Sequence, residues 1–298
     1  MGYNQICVFV RPKGGSEMKK RSAIIAASLA VSLLCGCASV NVNIKTAGDE
    51  TGDAAPDVVS SAPQLDSADF DYTKKDDKGN IYFESHGNTW SLDDASVDRY
   101  PKLSKTLSEI EDYVRKDIED CIAENENDAK QFAADNAGTE DAYYTYDADM
   151  GPACADEKVT SLVETQFTFL GGAHPDTITL GYNIDSATGE FIPLSAVISD
   201  KDGLDAILKE KLIELYTDHA FFGLDESFGD LAMTAAGPSE DNDPYSQYIW
   251  SFSPNGLTFY FNPSVLSPYA DGGEQIDLTY DELSSVLEDH FKNLYSEQ

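Results

Sequence analysis

Basic residues are scarce in this chain of 298: 20 Lys and Arg stand against 54 Asp and Glu, a formal net charge of −34. Clustered Lys and Arg are what displaces the counterions of a polyanion, so nucleic acid is excluded as a partner. Histidine is scarce too, with only His86, His174, His219 and His290, none spaced as HxxxH or HExxH. That removes the helical zinc-hydrolase patterns. There is no CxxC, no Cys/His spacing suited to structural zinc, and no GxSxG elbow of a serine hydrolase. No apolar run reaches the roughly 20 residues that cross a bilayer. Asp66-Ser67-Ala68-Asp69-Phe70-Asp71 lacks the glycine and closing glutamate of a calcium loop. No metal and no cofactor is therefore expected.

What is present begins near the N-terminus. Lys19, Lys20 and Arg21 precede an apolar stretch of 12 residues, Ala23 to Leu34, the length of a signal-peptide core. It ends in Leu34-Cys35-Gly36-Cys37, which resembles the lipobox of bacterial lipoproteins. The resemblance implies cleavage before Cys37, acylation of that cysteine, and a lipid anchor on the outer face of the bacterial cytoplasmic membrane. The signal is complete from Met18, the expected true start. Residues 1–37 hold five basic residues and one acidic, so the remainder carries 15 basic and 53 acidic, a net charge of −38. Such a field attracts and orients a cationic partner, and it also keeps an exported protein soluble. With Cys37 committed to lipid, Cys121 and Cys154 are the one pair open to a disulfide in oxidising surroundings, although spacing alone does not show that they meet.

Four segments are expected: signal peptide 1–37, flexible tether 38–68, an N-terminal α+β domain 69–157 and a C-terminal α+β domain 158–298, the last two small and intertwined. The tether is rich in Ser, Ala, Asp, Gly and Pro; about 30 such residues reach on the order of 30 Å. Ile81 to Ser85 and Thr89 to Leu92 read as a short antiparallel pair, with His86-Gly87-Asn88 as its turn. A helix opens at Pro101 and carries Leu103, Leu107, Ile110, Val114, Ile118 and Cys121 at three- and four-residue spacing. Val159 to Leu170 and Thr177 to Ile184 are strand-like, followed by a helix near Leu204 to Tyr216 and an irregular acidic loop over 223–244. Tyr248 to Phe252 and Leu257 to Phe261 form a hairpin, and a last strand runs over Glu274 to Leu278. A closing helix starts at a Thr279/Glu282 capping box, with Leu283, Val286, Leu287, Phe291 and Leu294 inward. Strand runs with a few interspersed helices give an α+β fold of antiparallel sheets and packed helices.

Val159 to Leu287 resembles the C-terminal extracytoplasmic domain of the RsiV family of anti-sigma factors. The resemblance rests on Gly171-Gly172-Ala173-His174, Tyr182-Asn183-Ile184-Asp185, Thr188-Gly189, Pro193-Leu194, Gly256 to Pro263, Leu266 to Ala270, and Tyr280 to Leu283. Tyr100-Pro101-Lys102-Leu103 resembles, more weakly, the domain that precedes it in that family. Such paired domains lie outside the membrane. In one member they bind lysozyme, and elsewhere they stand beside peptidoglycan deacetylases without being the catalytic part. The resemblance implies a non-catalytic binding or sensing module for a cationic protein such as lysozyme, or for another cell-wall component. Only 17 residues precede the signal segment, so an anti-sigma role for the chain itself is not expected.

Gly171, Gly172, His174, Tyr260 and Tyr269 are the candidate ligand contacts: a glycine-rich strand connection ending in a histidine, and two tyrosines of the hairpin region. The competing reading of each is plain packing. A wall-modifying hydrolase using dispersed carboxylates, or a solute-binding lipoprotein, are the alternatives.

Overall fold

The computed structural model describes residues 61–139, 142–234, 236–239 and 242–295, with side chains to Lys292. Cys37, the signal segment and residues 38–60 of the expected tether lie outside them. The fold is α+β, with a five-stranded and a three-stranded sheet.

The first sheet runs in the order β1 (Leu65–Lys75), β2 (Ile81–Leu92), β3 (Tyr144–Ala155), β4 (Val159–Phe169), β5 (Asp176–Asp185). Its first strands depart from expectation in two ways. Leu65 to Ala68, expected in the tether, already belong to β1, and β2 is a single strand through His86-Gly87-Asn88 rather than a hairpin. Phe70 is paired with Gly87 and Asp71 with His86, so β1 supplies the partner that a turn at 86–88 would have removed. A four-residue helix, α1 (Asp94–Val97), leads to α2 (Pro101–Asp135). Strands β2 and β3 are parallel, which requires a long crossover, and α2 provides it. At 35 residues α2 is about 52 Å long. Pro101 sits in its first turn, and its buried stripe runs from Leu103 to Ala129. The solvent side carries Lys105–Glu109 and Lys116–Asp120 at one-turn spacing, while Arg115, paired with Glu111, lies 4.6 Å over the Phe70 ring at the edge of the buried stripe. The boundary expected at 157/158 falls in the turn between β3 and β4, two strands of one sheet.

After β5 come α3 (Lys201–Leu215), capped by the Asp200 carboxylate on Gly203 N, and α4 (Leu224–Asp230) within the stretch expected to be a loop. The second sheet is β6 (Ile249–Ser253), β7 (Gly256–Phe261) and β8 (Glu274–Thr279), antiparallel throughout. The Thr279/Glu282 capping box forms, but the helix it opens, α5 (Tyr280–Leu283), is one turn long. A separate α6 (Asp289–Tyr295) follows. The break has a cause: Ser199 N donates to Val286 O at 2.8 Å and Glu288 N to Val197 O at 2.8 Å, bonds available only off-helix. Leu283, Val286, Leu287 and Phe291 are buried nonetheless.

Two apolar cores result. One lies between α2 and the first sheet, around Phe83, Leu107, Ile118, Leu162 and Ile184; the other joins the second sheet to α3, α4 and α5 around Leu208, Phe228, Phe252, Phe259 and Leu283. Each such side chain contributes about 1.5–3 kcal/mol by leaving water. β6 packs across β3, β4 and β5. At that crossing a Cβ on Gly181 would stand 2.2 Å from Trp250 O, so only glycine admits the approach. Asn183 Nδ2 donates to Trp250 O at 2.8 Å, and Phe252 N donates to Ser161 Oγ at 3.0 Å.

Candidate functional site

Strand alternation sorts the first sheet into two faces. Tyr144, Tyr146, Ala148, Leu162, Tyr182 and Ile184 point into the α2 core. Their neighbours point the other way, where β6 covers only the ends near Ser161 and Gly181. Register builds two rows on the uncovered part. One reads Asp71, His86, Asp147, Phe167, Thr177 across the five strands; the next reads Asp69, Asn88, Asp149, Thr165, Thr179. With Glu84 beside them, five carboxylates gather on β1–β3, and Phe167 stands 37% exposed among them and the threonines.

His86 organises the acidic half. Its Nδ1 lies 2.7 Å from Asp71 Oδ1, and its backbone N donates to Asp147 Oδ1 at 2.8 Å. The hydrogen bond to Asp71 raises the imidazole pKa, and partial burial raises that of Asp147. Side chains also reinforce the sparse β2–β3 ladder: Trp90 Nε1 donates to Met150 O at 2.7 Å and Met150 N to Asn88 Oδ1 at 2.6 Å.

Beyond Thr177 and Thr179 the face runs into an open basin of about 520 Å³ against the second sheet. Tyr260, Tyr269, Asp271 and Gln275 complete its wall. Asn262 joins the two sides: its Oδ1 accepts from Thr179 N at 2.7 Å and its Nδ2 donates to Thr179 O at 3.1 Å. The His174 ring stacks on Tyr269 with centroids 4.4 Å apart, and the Tyr269 hydroxyl donates to Pro175 O. Tyr245 OH donates to Asp176 Oδ2 at 3.0 Å nearby; burial, then the Asp176 charge, pushes its pKa well up.

Of the five candidate contacts, His174, Tyr260 and Tyr269 thus come together although nearly a hundred residues separate the first from the last. The two glycines do not join them. Gly171 (φ 74°) packs beneath the end of α2, where a Cβ would lie 2.8 Å from the Tyr144 ring and 2.9 Å from Phe132. Gly172 is half-buried in the same turn. The disulfide open to Cys121 and Cys154 is not formed: both are thiols. The reason is positional, since Cys121 packs in the α2 core and Cys154 against the other core. Burial lifts the Cys154 thiol to about 12.

Other buried titratable groups are held by structural hydrogen bonds. Glu164, fully buried beneath α2, accepts from Tyr182 OH at 2.6 Å and Gln166 Nε2 at 2.8 Å; burial raises its pKa, as it does that of Asp117, which accepts from Tyr146. Ser267 Oγ donates to Glu274 Oε1 at 2.5 Å, and His219 Nδ1 lies 3.2 Å from the same oxygen. Carboxylate stands between hydroxyl and imidazole, so the histidine is not placed to take the serine proton. Among the described residues no group of three or more His, Cys, Asp or Glu is arranged to hold a metal ion, and no helix is long and apolar enough to cross a membrane. His86, Asp147, Phe167 and Glu164 carry no mark in the sequence that singles them out; period-two alternation would reveal them only with the register known.

No protein-family model matches the sequence, and no curated protein matches it. Among solved structures the chain is similar to a member of the DUF3298 family from Bacteroides fragilis, at 16% identity and TM-score 0.55, over 80% of this chain and 97% of that one. The likeness is one of fold. A DUF3298 protein from Pseudomonas aeruginosa aligns at 13% identity and TM-score 0.48, over 76% of this chain and 95% of that one.

Proposed function

We propose that the chain is a surface lipoprotein, anchored through Cys37 to the outer face of the cytoplasmic membrane, whose α+β domain binds a cationic wall-associated partner without acting on it chemically. Distant kinship with the RsiV extracytoplasmic module belongs to the same proposal and makes lysozyme the reference partner. The observation that carries it is the open sheet face with Asp69, Asp71, Glu84, Asp147 and Asp149 around His86. A cationic protein meeting that face replaces carboxylate repulsion by attraction, and Phe167 offers it an apolar contact. The whole-chain charge of −34 adds steering at long range.

Titration with hen lysozyme tests the reading. Saturable binding is expected to weaken with salt yet persist at about 150 mM, where screening acts over about 8 Å. The triple variant Asp71→Asn, Asp147→Asn, Asp149→Asn is expected to lose about tenfold in affinity, roughly 1.4 kcal/mol. Absence of binding at low salt, or indifference to the triple variant, overturns the partner and the face respectively. Palmitate labelling that persists in Cys37→Ser removes the anchor.

A further inference from the structure

We propose that the basin between β5 and the second sheet is a binding site for an uncharged oligosaccharide. This goes beyond the acidic face, which needs no pocket. The basin volume of about 520 Å³ falls within the roughly 300–1,000 Å³ usual for small-molecule sites. Its wall is made of groups that suit sugar hydroxyls. The side-chain hydroxyls of Thr177 and Thr179 and the Gln275 amide have no hydrogen-bond partner among the described residues, so each has donors and acceptors to offer. Tyr260 faces the same side as Gln275, its cross-strand partner, and its hydroxyl keeps a 3.2 Å contact with Ser251 Oγ.

Tyr269 supplies the apolar surface. One side of its ring rests on His174 at 4.4 Å and its hydroxyl is tied to Pro175 O, yet the residue stays 37% exposed. Such a ring is fixed before any ligand arrives, so little freedom is lost on contact. Its electron-rich face suits the polarised C–H bonds on the flat side of a pyranose. His174 here is a positioning residue for Tyr269.

Charge narrows the ligand class. At −34 the chain repels anionic polymers. A cation would want several carboxylates, but Asp271 is the one exposed carboxylate on the wall. Glu274 borders the basin as well; its Oε1 holds Ser267 and His219, its Oε2 is buried without a hydrogen-bond partner, and it pairs with Phe261, on the opposite face from Tyr260 and Gln275. A neutral, hydroxyl-rich ligand remains. The basin is open, which suits a short stretch of a chain better than an enclosed single ring.

The test is calorimetry and amide-shift mapping on the full chain in a polyoxyethylene detergent, with chitotriose, cellotriose and maltotriose as probes. At least one should bind saturably, with shifts centred on Thr177, Thr179 and Gln275. Tyr269→Ala should weaken it roughly tenfold, the loss of one aromatic contact, whereas Tyr269→Phe should stay within about twofold. If Tyr269→Ala fails to fold, Thr177→Val with Thr179→Val decides: the pair keeps shape, removes two hydroxyls and should cost several-fold. No binding by any probe overturns the proposal, as does binding indifferent to both Tyr269→Ala and the valine pair. Lysozyme binding by the same variants separates this site from the acidic face, since each can fail while the other stands.

Discussion

Removing one buried hydroxyl, in Tyr182→Phe, tests how the α2 core holds its acid. Tyr182 is 2% exposed and Glu164 0%; the 2.6 Å bond between them serves Glu164 Oε2, while Gln166 serves Oε1. Phenylalanine keeps the ring and takes the tyrosine's donor away from that buried oxygen, a loss of about 1–3 kcal/mol. The loss should depend on pH. Burial already raises the Glu164 pKa, and the Tyr182 bond opposes the rise. A folded-state pKa above the unfolded value, about 4.3 for glutamate, means that the folded state holds the proton longer, so stability falls as pH climbs from there through the folded pKa. Without Tyr182 the folded pKa moves higher, and the fall continues to higher pH. Urea denaturation followed by circular dichroism should therefore give a larger destabilisation near pH 8 than near pH 5, each tenfold gain in the proton affinity of the folded carboxyl being worth about 1.4 kcal/mol. Equal destabilisation at both pH values, or less than about 0.5 kcal/mol at either, would refute the argument. A Glu164→Gln background should flatten the pH dependence.

Gly181→Ala places a methyl 2.2 Å from a backbone oxygen and should lower stability by about 1–3 kcal/mol, the cost of overpacking; an unchanged melting temperature would show that β6 gives way. Asn183→Ala takes the donor from Trp250 O and should cost about 1–3 kcal/mol in the same melt, whereas a value near zero would mean water substitutes for the amide. A thiol reductant should leave the melting temperature where it was, because Cys121 and Cys154 sit in different cores; a drop of several degrees would reveal a disulfide after all.

The elements legible in the sequence are those whose signal is local. The α2 stripe repeats at helical spacing, Pro101 marks its start, and the Thr279/Glu282 box forms as its residues suggest, so one-dimensional pattern suffices. β1 was hidden because a single buried side chain, Phe70, stands among acidic and small residues, which reads as tether. His86-Gly87-Asn88 has the composition of a turn, and only pairing with β1 keeps it extended. The closing helix broke for a reason equally remote, the bonds from Val197 and Ser199. The meeting of His174, Tyr260 and Tyr269 depends on a loop and a second sheet arriving at one edge. The acidic rows depend on β2 and β3 lying side by side across the whole of α2, a long-range pairing that alternation within one strand does not encode.

The lopsided dressing of the five-stranded sheet, with its helix on one side only among the described residues, divides its residues into two kinds. Substitutions beneath α2 disturb packing and must answer to thermodynamics first. On the other side, away from β6 and from the Asn88 and Asp147 side chains that bond the β2–β3 backbone, a strand can exchange one polar group for another while its ladder and the buried layer beneath stay intact. Selection can thus retune what the molecule touches without renegotiating how it stands up.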